Sequence, residues 1–205
     1  MNAAVWMLHY HINESDRDKY VAWFHDVHIP EKLARSGYTW ASHHAGAVDA
    51  STDSREYVAM FGGTQTRVFL DPSPAQLKPR QDALTREMMQ LRQRSSGVIF
   101  AHEWSDGEGA AVSIDAVHSP TLRVHWLETE SADEAIGAYA VQSLAPTLLA
   151  RGATRRISKL IGVTRGTRHV LLEQQDNDDG DAATVSDLPA DVTHRTYRGH
   201  RLWPA

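Results

Sequence analysis

The sequence predicts an α+β fold, in which two ferredoxin-like βαββαβ repeats pack sheet to sheet as an eight-stranded α/β barrel within one chain. Three observations support this prediction. The first half of the chain has a β-α-β-β-α-β order of periodic segments, and the second half repeats much of it. The composition, 41% hydrophobic and 23% charged over 205 residues, is typical of a globular protein with a sizeable core.

Four segments of the first half have the short, apolar, partly alternating pattern of β-strands. These predicted strands are Val5–Tyr10, YTWASHHAGAV, REYVAMFGG and VIFAHEW. One helix is predicted between the first two strands. A second helix begins near Pro79 and carries Leu84, Met88 and Leu91 on one face.

The second half of the chain repeats the first at a constant shift of 116 positions. The shift matches VHWLETESADE to LHYHINESDRD, and APTLLAR to IPEKLAR. The acidic segment DNDDGDAATVSDLPAD stands where the second helix would be repeated, and it is too short and too polar to form that helix. The second repeat is therefore predicted to lack most of its second helix and to have a mobile loop there.

Two four-stranded sheets, each with one uncovered face, can bury those faces against each other and close an eight-stranded barrel. We predict the first repeat over residues 1–105, a linker over 106–120, and the second repeat over 121–205.

The composition excludes several classes of function. The formal net charge is -5, and no basic run with interleaved aromatic residues is present, so nucleic acid is not an expected partner. The chain has no cysteine, which rules out disulfides, thiolate metal sites and a cysteine nucleophile. No run of about 18 apolar residues and no signal peptide is visible. A cytoplasmic protein without a membrane partner is expected.

The segment WFHDVHIPEKL, at the end of the first predicted helix, has two histidines three residues apart and then a proline. Pro30 disfavours the helical conformation at Ile29, so a break or kink in the helix is predicted there. The segment resembles the EthD-like families of the dimeric α/β-barrel superfamily, whose first helix ends in a His-x-Pro motif. The resemblance implies a small-molecule site that commonly works without a metal or organic cofactor, and it assigns a functional role to His28.

His28 lies about 40° from Phe24 around the helix, at the edge of the apolar stripe. A half-buried histidine there can transfer protons, so His28 is our first candidate for a general acid or base. The second repeat has Leu144 at the matching position while it keeps the proline, which favours a functional role for His28. His25 is expected at the surface. If a metal is bound at all, His25 and His28 are its expected ligands.

Along the first strand, Trp6, Leu8 and Tyr10 share one face, and His9 and His11 share the other. If the apolar face meets the helices, the histidines line the barrel interior. In the repeat, the same argument places Arg123 and His125 in the interior, opposite Leu122, Val124 and Trp126. The four polar residues would then form a pocket with a tendency to positive charge, suited to a phenolate, enolate or carboxylate. In this pocket we expect His9 to be a catalytic residue. We expect the substrate-binding residues to be His11, Arg123 and His125.

On the second strand, His43 and His44 point to opposite faces. The small neighbours of His43 leave room for a ligand, so His43 is the favoured inward and catalytic residue. Trp40 and His44 share the other face, where Trp40 could pack on the helices; both are further candidates for substrate binding.

The leading functional hypothesis is a cofactor-independent enzyme, a lyase of the decarboxylase or dehydratase type or an isomerase. It would act on an aromatic, polyketide-like or carbonyl substrate by histidine acid–base catalysis. Two alternatives remain: a haem-binding, metal-binding or oxygen-using protein of the monooxygenase type, and a binding module without catalysis. A homodimer of the fused barrel is also possible.

Overall fold

The computed structural model describes residues 3–108, 119–129, 133–164, 168–176 and 188–204. Eight antiparallel strands form a closed barrel in the order β1-β3-β2-β8-β5-β7-β6-β4. The strands are β1 (Ala4–Asn13), β2 (Tyr38–Asp49), β3 (Ser54–Gly63), β4 (Gln93–Gly107), β5 (Thr121–Thr129), β6 (Thr154–Gly162), β7 (His169–Gln175) and β8 (Val192–Trp203). The predicted α+β fold, a barrel built from two ferredoxin-like repeats, is confirmed.

Each repeat supplies one half of the ring. Strands β1 to β4 are contiguous in it, and so are β5 to β8. Two seams join the halves: β4 pairs with β6 over much of its length, whereas β2 and β8 pair around residues 43–45. The domain division at residues 106–120 stays a prediction, and residues 109–118 lie outside the described part of the chain.

The helices cover the outer face of the strands. Those of the described residues are α1 (Arg17–Trp23), α2 (Ile29–Leu33), α3 (Pro74–Leu77), α4 (Ala83–Gln90), α5 (Asp133–Tyr139) and α6 (Ala145–Leu149). The second helix predicted for the first repeat is interrupted at residues 81–82, which separate α4 from the short helical turns before it. Its main part, α4, begins after Asp82, whose carboxylate accepts a hydrogen bond from the Thr85 backbone N–H at 2.7 Å. The loop predicted in the second repeat falls largely on residues 177–187, outside the described residues.

Of the predicted break or kink, the break does not occur, because Ile29 has helical φ and ψ; a π turn lies just before it. The turn spans Phe24–His28 and links α1 to α2, and the Ile29 N–H donates to the Phe24 carbonyl five residues earlier. A regular helix would bring the Pro30 ring against the carbonyl four residues before it, and the wider π turn relieves that collision. The second repeat has the same arrangement, with a π turn at Ala140–Leu144 ahead of Pro146.

Apolar side chains form three layers. Val5, Met7 and Trp40 belong to a core inside the barrel, which the second repeat completes with residues such as Val124 and Trp126. The other two layers lie between each repeat's strands and its helices; they are represented by Tyr10, Tyr20, Phe24 and Phe61 in the first repeat, and by Leu127, Ile136, Leu144 and Leu171 in the second. The strands of this barrel therefore have apolar residues on both faces.

No helix among the described residues is long and apolar enough to span a membrane.

Candidate functional site

A cavity of about 440 Å³ lies on the helix side of the first repeat. Trp6 and Leu8 of β1 contribute apolar walls, and Met89 of α4 adds to them. Its polar lining includes His28, Lys32 and Arg92. The size and the mixture of apolar walls with a few charged groups are typical of small-molecule sites.

His28 stands at the last position of the π turn and is 2% exposed. Its ring is stacked on Phe24, with centroids 5.3 Å apart, and it contacts Trp23 at 4.8 Å. The Nδ1 atom is buried and has no hydrogen-bond partner among the residues that the structure describes. Burial, and after it the positive charges of Lys32, Arg92 and Arg35, hold the pKa of His28 well below its ordinary value of 6.5. The imidazole is therefore neutral and can accept a proton.

Lys32 and Arg92 bring two cations to the same cavity. Lys32 follows His28 by one helical turn and is 6% exposed, and burial lowers the pKa of its ammonium group. Its Nζ atom lies 3.4 Å from the carboxylate of Glu31. The Arg92 guanidinium stacks over the Tyr10 ring at 4.5 Å, and its buried Nη2 atom has no partner in the described part of the chain. An anion in the cavity would supply the acceptor that Arg92 lacks.

A chain of hydrogen bonds runs from the surface to Arg92. The half-buried His25 has its Nε2 atom 2.9 Å from Nδ1 of His43, and Nε2 of His43 lies 3.0 Å from the Tyr10 hydroxyl. Tyr10 is hydrogen bonded to Tyr20. The Tyr20 hydroxyl accepts a hydrogen bond from Arg92 Nε at 2.6 Å. The chain fixes the guanidinium at the cavity wall.

The prediction that His43 faces the barrel interior is wrong. His43 is fully buried on the helix side, where it contacts Phe24 at 4.7 Å and stacks on Tyr57 at 5.1 Å. Trp40 and His44 occupy the alternate face, inside the barrel, so the idea that Trp40 packs on the helices is also wrong. The Trp40 indole covers Gly62 so closely that a Cβ atom there would lie 2.0 Å from Nε1.

The structure places His9 on the barrel side of β1, with its ring 5.2 Å from Trp126 and 6.4 Å from Tyr197. His11 is beside it, at 5.7 Å between the ring centroids. The predictions that Arg123 and His125 reach the barrel interior are wrong. Their neighbours along β5 form the barrel core instead, namely Leu122, Val124 and Trp126.

His125 belongs to a buried polar cluster on the helix side of the second repeat. Its Nε2 atom lies 3.0 Å from a carboxylate oxygen of Glu173, and its Nδ1 atom lies 3.0 Å from His194. The Thr154 hydroxyl donates to the other oxygen of Glu173 at 2.5 Å. Arg123, 2% exposed, interacts electrostatically with the same carboxylate. The cluster satisfies its members internally, which is typical of a structural network.

Sequence reasoning missed Lys32 and Arg92. The spacing of Lys32 from His28, one helical turn, was a usable signal. Arg92 follows α4 and is 64 positions away from His28 in the chain, so only the fold brings the two together.

A second cavity, of about 740 Å³, opens at one end of the barrel. His9 and Trp126 form part of its wall, and Arg195 stacks over the Trp126 ring at 3.8 Å. Arg168 adds a second cation to the lining, and Asp133 adds an acid.

Solved structures of other proteins share this barrel. A monooxygenase-like protein from Fusobacterium nucleatum has a TM-score of 0.62 at 9% identity, with 98% of this chain and 93% of that chain covered. A chlorite dismutase-like protein has a TM-score of 0.62 at 12% identity, with 98% and 95% covered. An anthrone oxidase-like protein has a TM-score of 0.56 at 12% identity, with 98% and 92% covered.

No family model matches the sequence, and no curated protein matches it. At these identities the structural similarity concerns the fold alone. That fold is the dimeric α/β barrel of ferredoxin-like units, here formed by one chain.

The expectation that no cofactor is needed is contradicted, because the chlorite dismutases that share this fold are haem-dependent. The residues of the first-repeat cavity nevertheless do not fit a haem. A metal-ligating imidazole almost always donates its other ring N–H to an acceptor, and Nδ1 of His28 has none. The neighbouring His43, like His125 in the second repeat, has both ring nitrogens engaged in hydrogen bonds.

Proposed function

We propose that the protein is an enzyme that moves a proton on a small aromatic or carbonyl-bearing molecule bound in the first-repeat cavity, as a lyase or an isomerase. One observation carries this proposal: a neutral buried imidazole and two cations line the same 440 Å³ cavity. The resemblance of WFHDVHIPEKL to the EthD-like motif supports the choice of His28 as the acid–base residue.

His28 accepts the substrate proton in this mechanism. Removal of that proton leaves negative charge on an enolate or phenolate oxygen, which the Lys32 ammonium and the Arg92 guanidinium stabilise in a site shielded from water. The apolar walls of Trp6 and Leu8 hold the carbon skeleton. The proton then returns from His28 to another atom of the substrate or to the product.

Binding of the substrate also changes the pKa of His28 in this proposal. In the free protein burial, and after it the charges of Lys32 and Arg92, lower the pKa of His28. An anionic or developing anionic ligand beside Lys32 and Arg92 offsets their charge, so the pKa of His28 rises towards the working pH as the substrate binds. Tyr10, Tyr20, His43 and His25 act as positioning residues in this proposal, because they hold Arg92 at its Nε atom.

A monooxygenase is the second candidate, supported by the monooxygenase-like and anthrone oxidase-like proteins of the same fold. The two candidates share proton removal from the substrate and differ in whether the resulting carbanion then reacts with oxygen.

Deuterium exchange tests the shared step without knowledge of the natural substrate. The protein is incubated in D₂O with acetylacetone, 4-hydroxyacetophenone and anthrone, and exchange at the acidic carbon is followed by NMR. We expect the wild type to accelerate the exchange of at least one compound, and His28→Leu to reduce that acceleration about 10² to 10⁴-fold. The control His102→Gln changes a histidine that lies outside the cavity lining.

Equal exchange by the wild type and His28→Leu, in protein shown to be folded, would contradict the role of His28. An oxygen electrode in the same reactions separates the candidates, since only the monooxygenase consumes oxygen.

A further inference from the structure

Three potential metal ligands meet on the barrel side of β1 and β3, on the opposite face of β1 from the proposed catalytic cavity. His9 and His11 are two positions apart on β1 and therefore point to the same face. Glu56 on β3 is the direct pairing partner of His11. One ligand atom from each of the three residues lies within 4.8 Å of the others.

The hydrogen bonds within this cluster join His9 to Glu56 and leave a ring nitrogen of His11 unused among the described residues. His9 Nε2 and a carboxylate oxygen of Glu56 are 2.5 Å apart, and the two side chains are 12% and 28% exposed. Nδ1 of His11 is buried and has no hydrogen-bond partner within the described residues. A cation at the centre of the cluster would engage this nitrogen and replace the hydrogen bond between His9 and Glu56.

The distances suit a small ion. Tetrahedral ligands at about 2.0–2.1 Å from zinc stand about 3.4 Å from one another. The three ligand atoms are already within 4.8 Å of one another, so they need to approach by at most about 1.4 Å, a distance on the scale of a side-chain rotation.

The backbone beside the cluster is irregular at this point. The pairing of β1 with β4 shifts its register between His9 and His11, and Arg94 in β4 has a positive φ of 48°. Such bulges redirect side chains and often lie next to functional sites.

We propose that His9, His11 and Glu56 bind one divalent transition-metal ion at the mouth of the barrel. Two imidazoles and one carboxylate favour an ion such as zinc, iron(II), cobalt(II) or nickel(II) over magnesium or calcium, which prefer oxygen ligands. Three protein ligands leave at least one position open, as in catalytic metal sites.

The proposed site borders the 740 Å³ cavity, because His9 forms part of the cavity wall. Arg168 in the same cavity is paired with Asp133 at 2.7 Å, so Arg195 is the cation that can attract an anion with oxygen donors to the ion. The site is separate from the cavity of His28 and does not depend on the function proposed for it.

Metal titration tests the proposal. Tag-free protein, stripped with EDTA and dialysed, is titrated with Zn²⁺ in a calorimeter and with Co²⁺ in a spectrometer, where the visible bands of bound cobalt report its coordination. We expect one ion per chain. We also expect the affinity to fall more than about 10-fold in His9→Ala and in His11→Ala, since even the loss of a residue that only orients a ligand has an effect of this size.

Glu56→Gln provides a variant of nearly the same shape in case an alanine variant does not fold. Zn²⁺ should raise the melting temperature of the wild type, because it binds the folded state, and should fail to do so in Glu56→Gln. His25→Ala and His28→Leu serve as matched controls and should bind the ion as the wild type does. Loss of binding in these controls, or equal binding by the wild type and His9→Ala, would overturn the proposal, as would adventitious binding without a defined stoichiometry.

Discussion

At the scale of single residues, His28 and Leu144 occupy matching positions in the two repeats. Both stand at the last position of a π turn, and both are buried, at 2% and 1% exposure. Leu144 packs in an apolar layer, whereas Nδ1 of His28 is buried without a partner. A buried polar atom without a hydrogen bond costs about 1–3 kcal/mol. His28 therefore destabilises the fold, as functional residues often do.

His28→Leu should raise the free energy of unfolding by about 1–3 kcal/mol at neutral pH, because it removes the unpartnered nitrogen and copies a side chain that the second repeat accommodates. The measurement is urea denaturation followed by tryptophan fluorescence. His43→Leu is the matched control and should be destabilising, since it leaves Tyr10 and His25 without their hydrogen-bond partner. A loss of stability in His28→Leu would show that the imidazole has a structural role.

Lys32 and Arg92 illustrate what a single sequence cannot reveal about a site. The histidines could be identified by type, because few side chains titrate near neutrality. The two cations have common residue types, and only the packing of α2 and α4 around one cavity distinguishes them from surface residues.

At the scale of elements, periodicity and the 116-position shift predicted the eight strands and the repeat of the first helix with its proline, but they predicted neither the π turns nor the facing of β5. Alternation assigns residues to two faces and does not say which face is inside. In β5 both faces are buried: Val124 and Trp126 lie in the barrel core, and Leu127 lies beneath the helices. Polar His125 is accommodated there because Glu173 pairs with it, and that partner is known only from the strand pairing.

Strand β3 and helix α5 each contain a glycine whose substitution tests the packing around it. Gly62→Ala should lower the free energy of unfolding by about 1–3 kcal/mol, because the new methyl group collides with the Trp40 indole in the barrel core. Gly137→Ala, in α5, meets no atom within 4 Å and should raise it by about 0.5–1 kcal/mol through helix propensity. Thermal and urea unfolding measure both changes. Equal effects of the two substitutions would contradict the packing of Trp40 over β3.

At the scale of the whole molecule, several histidines are held neutral by burial. Burial lowers the pKa of His44 to about 3 and that of His194 to about 4, and it also lowers the pKa values of His28 and His43 well below 6.5. In the unfolded chain these groups bind protons near pH 6.5, and in the folded chain they do not. The unfolded state thus binds more protons below that pH, and stability rises with pH across this window.

The free energy of unfolding should therefore decrease as the pH falls below 6.5, with a slope of about 1.4 kcal/mol per pH unit from each fully buried histidine. His44→Leu should reduce this slope by about that amount. Urea midpoints measured at a series of pH values for both proteins provide the test. Parallel lines for the wild type and His44→Leu would show that His44 is not neutral and buried.

The ring of strands in this barrel is closed inside one chain, by the seams between β4 and β6 and between β2 and β8. In a barrel assembled from two identical chains, every substitution is present twice, and rotational symmetry makes the two helix-side cavities identical. Here each substitution is present once. The first repeat can keep an imidazole with an unsatisfied nitrogen while the second repeat fills the same place with Leu144 and a self-contained polar cluster. One half can then carry a destabilising site, because the other half is free to be optimised for folding.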